Sequence, residues 1–272
     1  MSDIFSLKDK TVAITGGGGI LCGEMCLALG KAGAKVAVLD LAEEAAAKIA
    51  KQIKADSGTA IAIKCNVLDK ASIEAAKAKV ESEFGKLDIL INGAGGNRKD
   101  ATATPELPFF DLPAEAVKFV FELNFLGTFL PCQVFGKEMA ESGSGIILNV
   151  SSMCALQPLT KVCGYSAAKA AVSNFTQWLA VHMCQNYSKD IRVNAIAPGF
   201  FLTEQNRFLL TEEKTGELTA RGKTIIDHTP MGRFGDPGDL IGTVIWLLSD
   251  AAKFVTGIVV PIDGGFSAFS GV

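Results

Sequence analysis

The sequence predicts an α/β fold with one doubly wound, seven-stranded parallel sheet and helices on both of its faces. Short apolar runs alternate with longer helical patterns, the runs are apolar at nearly every position, and no Pro- or Ser-rich linker divides the 272 residues. Strands that are apolar on both faces belong in a sheet covered on two sides, and intervening helices supply parallel crossovers. We therefore expect a single domain over residues 1–272.

Seven apolar or β-branched runs are the predicted strands. They cover residues 11–15, 36–39, 60–65, 89–91, 146–150, 192–196 and 255–261. Ala-, Glu- and Lys-rich stretches such as 41–56 and 72–84 have helical spacing. The widest irregular stretch, 199–237, begins after the sixth strand. Because ligands bind beyond the carboxyl ends of parallel strands, we interpret this stretch as a substrate lid, with a tetramerisation arm as the alternative.

The composition excludes several classes of protein. With 26 basic and 29 acidic residues the net charge is −3, so we expect no nucleic-acid partner. The most apolar stretch, 117–135, is interrupted by Lys118, Glu122 and Asn124, which favours a buried helix over a membrane span. The N-terminus has no signal-peptide pattern, which predicts a cytoplasmic protein. Seven cysteines without a CxxC pair predict reduced thiols and no metal site.

A glycine-rich turn follows the first predicted strand. Four glycines at 16–19 separate that strand from a helical pattern beginning at Ile20. Glycine lets the backbone approach a pyrophosphate closely, and the amides of a helix N-terminus attract its charge. The turn therefore predicts a dinucleotide site contacted by Gly16, Gly18, Gly19 and Ile20. The alternative is a turn that needs only positive φ angles.

Asp40 ends the second predicted strand, 24 residues after Gly16. A carboxylate at this position accepts hydrogen bonds from a ribose diol and repels a 2′-phosphate. The sequence has no arginine between Lys31 and Arg98 that could form bidentate hydrogen bonds with such a phosphate. We therefore expect NAD rather than NADP. The alternative role for Asp40 is that of a helix N-cap.

Tyr165 and Lys169 lie four residues apart at the start of a helical pattern, and Ser152 precedes Tyr165 by thirteen. Residues spaced by four share one face of a helix. A neighbouring ammonium favours the phenolate, so we expect Lys169 to lower the pKa of Tyr165 and make its hydroxyl a usable acid or base. Ser152 would then hold the substrate oxygen.

Together with further motifs, these residues make the chain resemble the short-chain dehydrogenase/reductase family from about residue 11 to 265. The further motifs are Asn92-Gly93-Ala94-Gly95, Asn124-Phe125-Leu126-Gly127, Pro198-Gly199 with Thr203, and Asp263-Gly264-Gly265. The resemblance implies a Rossmann fold in which Tyr165 is the general acid/base and Ser152 orients the carbonyl or hydroxyl. It also implies that Lys169 binds the nicotinamide ribose and that Asn124 holds a water in a proton relay.

The same resemblance implies further cofactor contacts. They are Asn92, Gly93 and Ala94 on the adenosine side and Pro198, Gly199 and Thr203 beside the nicotinamide. Asn66 and Val67 follow the third strand where the family often has Asp-Val, and the Asn66 amide can meet an adenine edge. The glycine turn departs from the family pattern T-G-x-x-x-G-x-G, because Ile20 and Cys22 occupy its second and third glycine positions.

Three segments, TGGGGILCG, NGAGGN and APGFFLTEQNRFLL, resemble the D-mannonate oxidoreductase (D-fructuronate reductase) branch of the family. This resemblance implies a sugar-acid substrate, whose carboxylate calls for a nearby cation. Arg98 and Arg207 are the candidate cations, and Ser152 contacts the same substrate. The alternatives are a reductase of another carbonyl, such as a 3-oxoacyl thioester or a neutral polyol, and a dinucleotide-binding protein without chemistry.

The family resemblance also implies a homotetramer assembled through the helices that contain Asn124 and Tyr165. The C-terminal residues 266–272 are apolar, which would allow them to pack against a neighbouring subunit.

Overall fold

The computed structural model describes residues 4–202, 210–212 and 215–271. Seven parallel strands form one sheet in the order β3-β2-β1-β4-β5-β6-β7. The strands are β1 (Thr11–Thr15), β2 (Lys35–Asp40), β3 (Thr59–Lys64), β4 (Ile89–Asn92), β5 (Gly145–Val150), β6 (Ile191–Pro198) and β7 (Val259–Ile262). The predicted seven-stranded parallel sheet is confirmed.

The largest boundary error concerns β7, which begins at Val259 rather than at residue 255. The residues before it form a turn in which Gly257 has a φ angle of +80°. The Val255 carbonyl in this turn accepts hydrogen bonds from Arg192 and Asn194 of β6. The apolar run is therefore part turn and part strand.

Helices cover both faces of the sheet. Those in the described residues are α1 (Ile20–Lys31), α2 (Glu43–Ala55), α3 (Lys70–Phe84), α4 (Ala114–Phe121), α5 (Gly127–Ser142), α6 (Cys163–Asn186), α7 (Ala220–Asp227) and α8 (Ile241–Leu248). The core on one face joins Ile14 of β1 to side chains of α1, α2 and α8. On the opposite face, Ala13 joins side chains of α3, α5 and α6. This arrangement confirms the doubly wound fold.

Helices α4 and α5 form one helical stretch, because a π-helical turn at Glu122–Leu126 joins them. By length and composition this stretch, Ala114–Ser142, could cross a membrane, but half of its most apolar window is buried inside the fold. Phe135 and Met139 belong to the core beneath α5. The stretch therefore packs one of its faces into the core of the fold.

The predicted lid region begins and ends at the same place in the fold. The Leu202 amide donates to the Gly235 carbonyl at 3.0 Å, and the Gly235 amide donates to the Phe200 carbonyl at 2.9 Å. Between these ends lie an antiparallel bridge from Thr211 to Leu218 and helix α7. The predicted site residues Thr203 and Arg207 lie outside the described residues.

Five of the seven cysteines are buried and none forms a disulfide. Burial raises the pKa of both Cys22 and Cys132 to about 12, so these thiols stay protonated at neutral pH. Within the described parts of the chain, no cluster of three or more His, Cys, Asp or Glu side chains could hold a metal ion.

Candidate active site

The glycine-rich turn lies at the carboxyl end of β1 and leads directly into α1. Gly16 has a φ angle of +67°, and the Gly19 amide donates to the Gly16 carbonyl at 3.0 Å. A Cβ atom on Gly18 would lie 2.7 Å from the Ala45 Cβ, so only glycine allows α2 to approach. The amides of the first turn of α1 have no partner within the helix and face the end of the sheet, as an anion site requires.

Asp40 supports this turn. Its Oδ2 accepts a hydrogen bond from the Gly18 amide at 2.9 Å, and its Oδ1 accepts one from the Ala42 amide at 2.9 Å. Helix α2 begins at Glu43 with Ala42 as its N-cap. Asp40 is therefore not the N-cap of α2, and its carboxylate lies beside the glycine turn at the end of β2.

Cys22 occupies a family glycine position, and a glycine lies directly opposite it. Cys22 is buried, and a Cβ atom on Gly93 would overlap the Cys22 Sγ. The larger side chain at position 22 fits because residue 93 has none. This pair explains how the glycine pattern differs from that of the family while the chain still turns at the same place.

Asn92 is the only predicted adenosine-side residue whose side chain enters the core. Its Nδ2 donates to Asn149 Oδ1 at 2.9 Å and to Cys132 Sγ at 3.2 Å, and Asn149 in turn donates to Thr176. This side chain therefore links β4 to α5 through Cys132, and to β5 and α6 through Asn149. The amides of Gly93 and Ala94 donate to Thr15 Oγ1, which holds this loop beside the glycine turn.

The remaining predicted cofactor residues also follow strands. Asn66 is exposed after β3, where its Oδ1 accepts from the Leu68 amide at 3.1 Å, while Val67 is buried. Pro198 ends β6, and the Gly199 amide donates to the Ile262 carbonyl at 2.9 Å. All of these positions lie at the carboxyl edge of the sheet, where ligands of this fold bind.

Helix α6 places Tyr165 and Lys169 above the carboxyl end of β5. The Lys169 side chain is buried, donates from Nζ to the Val150 carbonyl at 2.8 Å, and lies 5.7 Å from the centroid of the Tyr165 ring. Ser152 follows β5, and its Oγ accepts a hydrogen bond from the Cys154 amide at 3.3 Å. The structure thus brings together the three side chains that the spacing predicts.

The pKa expected for Tyr165 is wrong in direction. Burial raises the pKa of this phenol above its ordinary value, and a hydrogen bond with Ser152 only partly opposes the change. Burial also lowers the pKa of Lys169 to about 8, because the ammonium lies in the same water-poor region. Desolvation is therefore the largest cause of both shifts.

Asn124 fixes the loop that follows β4. Its Nδ2 donates to the carbonyls of Gly96 and Val120, both at 2.7 Å, and its Oδ1 accepts from the Gly96 amide at 3.1 Å. A Cβ atom on Gly95 would lie 2.5 Å from Asn124 Oδ1 and 3.2 Å from Lys169 Nζ. Asn124 therefore positions the loop beside Lys169, within a π turn of the kind often found at functional sites. Its role in a water relay stays a prediction.

Arg98 does not have the free guanidinium that a substrate ligand needs. Its Nε and a terminal nitrogen donate to the two carboxylate oxygens of Asp100 at 2.9 and 2.7 Å. The guanidinium also lies 5.0 Å from the centroid of the Phe119 ring. This forked pair uses two of the five guanidinium N–H donors and balances the charge of Arg98 with that of Asp100. The structure therefore speaks against Arg98 as the carboxylate ligand.

A cavity of about 1110 Å³ lies next to the apolar cluster to which Tyr165 belongs. Its described walls come from the loop between β5 and α6, from α7 and from the C-terminal segment. Leu159 and Phe266 line the cavity and belong to the same apolar cluster as Tyr165. The Phe266 ring packs 4.6 Å from the His228 ring, so the C-terminal segment packs on its own chain rather than only on a neighbour.

The cavity contains two cations that the sequence analysis did not single out, Lys161 and Arg221. The sequence position of Lys161 could have indicated this location, because Lys161 lies in the loop that joins Ser152 to Tyr165. Both ends of that loop are at the site, so its side chains are expected to line it. No comparable signal marks Arg221, which α7 brings to the cavity.

These features define a Rossmann-type oxidoreductase with a Ser-Tyr-Lys site. The sequence model for short chain dehydrogenases matches residues 10–214. The chain belongs to this family and is an enzyme of the short-chain dehydrogenase/reductase type.

Individual relatives extend over nearly the whole chain. An uncharacterized oxidoreductase of Bacillus subtilis, UxuB, is 49% identical over 98% of both proteins. The 5-keto-D-gluconate 5-reductase of Escherichia coli is 32% identical over 97% of this chain and 98% of its own length. A crystal structure from Haemophilus influenzae contains bound NAD and is provisionally described as a D-mannonate oxidoreductase. It is 46% identical in sequence, with a TM-score of 0.92, and the match covers 99% of this chain and 100% of that one.

Proposed function

We propose that this enzyme uses NAD(H) to interconvert a secondary alcohol and a ketone of a sugar acid, with D-mannonate and D-fructuronate as the leading pair. The observation that carries the proposal is that Ser152, Tyr165 and Lys169 lie together, and that Tyr165 packs with Leu159 and Phe266 in the wall of a cavity that also has cationic side chains. The names of the keto-gluconate reductase and of the Haemophilus protein support the same substrate class.

The residues present fit a nicotinamide dinucleotide. A Cβ on Gly16 would lie 2.9 Å from the Ala94 Cα, so glycine lets the loops after β1 and β4 meet where α1 begins. The amides at the N-terminus of α1 suit a pyrophosphate. The Asp40 carboxylate at the end of β2 favours a ribose diol over a 2′-phosphate, so NAD is preferred to NADP. Lys169 and Tyr165 would hold the nicotinamide ribose.

The proton steps belong to the side chains of this chain. The bound cofactor supplies or accepts the hydride. Tyr165 gives a proton to the carbonyl oxygen during reduction and takes one from the hydroxyl during oxidation, while Ser152 donates a hydrogen bond to the same oxygen. Because burial raises the pKa of Tyr165, its hydroxyl keeps its proton at neutral pH, which suits the reductive direction.

The direct test is a rate assay with NADH and NADPH on a panel of carbonyl compounds. The panel contains D-fructuronate, 5-keto-D-gluconate, D-fructose and a 3-oxoacyl thioester. We expect NADH-dependent reduction of a sugar acid. Activity confined to the thioester or to D-fructose would contradict the proposed substrate, and NADH binding without turnover of any carbonyl would favour a non-catalytic dinucleotide-binding protein.

We also propose a homotetramer, for which the helices α4 to α6 offer an aromatic surface. Phe121 and Trp178 are exposed, and Trp178 stacks on the His182 ring at 4.6 Å. Phe125, Phe129 and Phe175 continue the row beneath them with ring centroids 5.4–6.1 Å apart. Connected exposed aromatic surface of this kind is typical of an interface between subunits. The cytoplasmic location and the absence of membrane and nucleic-acid partners stay predictions.

Replacing Trp178 with Glu is expected to lower the particle mass from a tetramer to a smaller species. A carboxylate in the middle of the aromatic surface would have to be buried without a partner on assembly. Light scattering coupled to size exclusion measures the mass. The matched control is Phe254→Glu, since Phe254 is fully exposed just after α8. An unchanged mass for the Trp178 variant would contradict the proposed interface.

A further inference from the structure

Two cations line the cavity whose apolar wall belongs to the same cluster as Tyr165. Lys161 comes from the loop between β5 and α6, four residues before Tyr165, and Arg221 is the second residue of α7. Within the described parts of the chain neither side chain forms an ion pair. They differ in this from Arg98, whose guanidinium is paired with Asp100.

The backbone around Lys161 is fixed rather than loose. The Ala103 amide donates to the Lys161 carbonyl at 2.9 Å. The Leu159 amide donates to the Ser166 hydroxyl at 3.4 Å, which ties the loop to the first turn of α6. Lys161 is therefore held close to the helical turn that carries Tyr165. A cation in this place can bind one end of a substrate whose carbonyl reaches the Tyr165 hydroxyl.

The remaining polar groups of the cavity suit the hydroxyl groups of a sugar. Gln157 and Thr160 line it on the loop side, and Asp227 lines it at the far end of α7. Asp227 lies six residues after Arg221, about 9 Å along the helix axis, so repulsion between this carboxylate and an acid bound at Arg221 is small. The positive end of the α7 dipole lies on the Arg221 side. The cavity is therefore cationic at one end of α7 and hydrogen-bond accepting at the other.

We propose that Lys161 and Arg221 bind the substrate carboxylate and select sugar acids over neutral sugars. A guanidinium and an ammonium together provide charge-assisted hydrogen bonds to both carboxylate oxygens. This assignment rests on the proposed function and replaces Arg98 as carboxylate ligand. It leaves Tyr165 and Ser152 for the carbonyl at the other end of the substrate.

The test compares D-fructuronate with D-fructose, which carries a neutral CH2OH group in place of the carboxylate. Both are assayed with NADH on the wild type and on Lys161→Gln, Arg221→Gln and the double variant. In the double variant we expect kcat/KM for D-fructuronate to fall about 10- to 100-fold, mainly through KM, while the value for D-fructose stays as in the wild type. Added salt is expected to raise the KM for D-fructuronate in the wild type more than in the double variant.

Two further variants sharpen the comparison. Lys223→Gln removes the same charge from another exposed position of α7 that does not line the cavity, and it is expected to behave as the wild type. Arg98→Gln tests the earlier candidate and is expected to change the KM for D-fructuronate much less than the double variant does. NADH binding, followed by fluorescence, reports that each variant is folded and loads its cofactor.

The outcomes separate this inference from the proposed function. If the wild type reduces D-fructuronate and the double variant keeps the same KM, the assignment to Lys161 and Arg221 is overturned and the proposed function stands. An equal loss in Lys223→Gln, or a larger one in Arg98→Gln, also overturns the assignment. If the wild type reduces no sugar acid but another carbonyl compound, the proposed function itself fails, and the assignment fails with it.

Discussion

Replacing Tyr165 with Phe is expected to lower kcat for carbonyl reduction by at least about 100-fold, because the variant has no proton to give to the carbonyl oxygen. Only one hydroxyl is removed. The ring keeps its packing in the apolar cluster with Leu159 and Phe200, and the bond from Lys169 to the Val150 carbonyl does not involve the phenol. Because Lys169 and the glycine turn remain in place, NADH affinity should fall far less than kcat. Steady-state kinetics and NADH fluorescence titration measure the two quantities.

The chain offers a matched control for this change, since it contains only two tyrosines. Tyr187 is exposed just after the end of α6, so Tyr187→Phe removes the same hydroxyl away from the site. The control should turn over substrate as the wild type does. Undiminished turnover in Tyr165→Phe would show that another group transfers the proton.

The sequence predicts most of this fold because burial on both faces of a strand is a local property. Every residue of β1 and of β6 is buried, and apolar residues predominate in both strands, although Arg192 and Asn194 interrupt β6. The start of β7 could not be read in the same way. Val255 is as apolar as the strand residues after it, but its carbonyl serves Arg192 and Asn194, more than 60 residues earlier in the chain.

The same distinction applies to the site. Tyr165 and Lys169 share one helix, so their spacing alone brings them together. The pKa of Tyr165 depends on how much water the fold removes, and a sequence motif does not report this quantity. Lys161 and Arg221 are 60 residues apart and converge only through the position of α7. The pairing of Arg98 with Asp100 and its contact with Phe119 exist only in the folded chain, so the sequence does not reveal them.

Replacing Lys169 with Met is expected to lower kcat/KM at least about tenfold, because the buried donor that would hold the nicotinamide ribose is lost. Methionine is unbranched and of similar length, so the space is filled without a large cavity. The variant also loses the hydrogen bond from Lys169 to the Val150 carbonyl, which should cost stability.

The dependence of stability on pH isolates the lysine charge. Burial lowers the pKa of Lys169 from an ordinary value of 10.5 to about 8, so between these values the unfolded chain binds a proton that the native protein does not. The free energy of unfolding of the wild type, minus that of Lys169→Met, should therefore be constant below about pH 7 and rise between pH 8 and 10.5. The full rise is about 3 kcal/mol, at about 1.4 kcal/mol for each pH unit. Urea unfolding at one fixed protein concentration measures it, since assembly also contributes to stability. If this difference in the free energy of unfolding stays flat up to pH 10, Lys169 keeps its ordinary pKa. Tyr165 would then have a charged ammonium beside it throughout the working pH range.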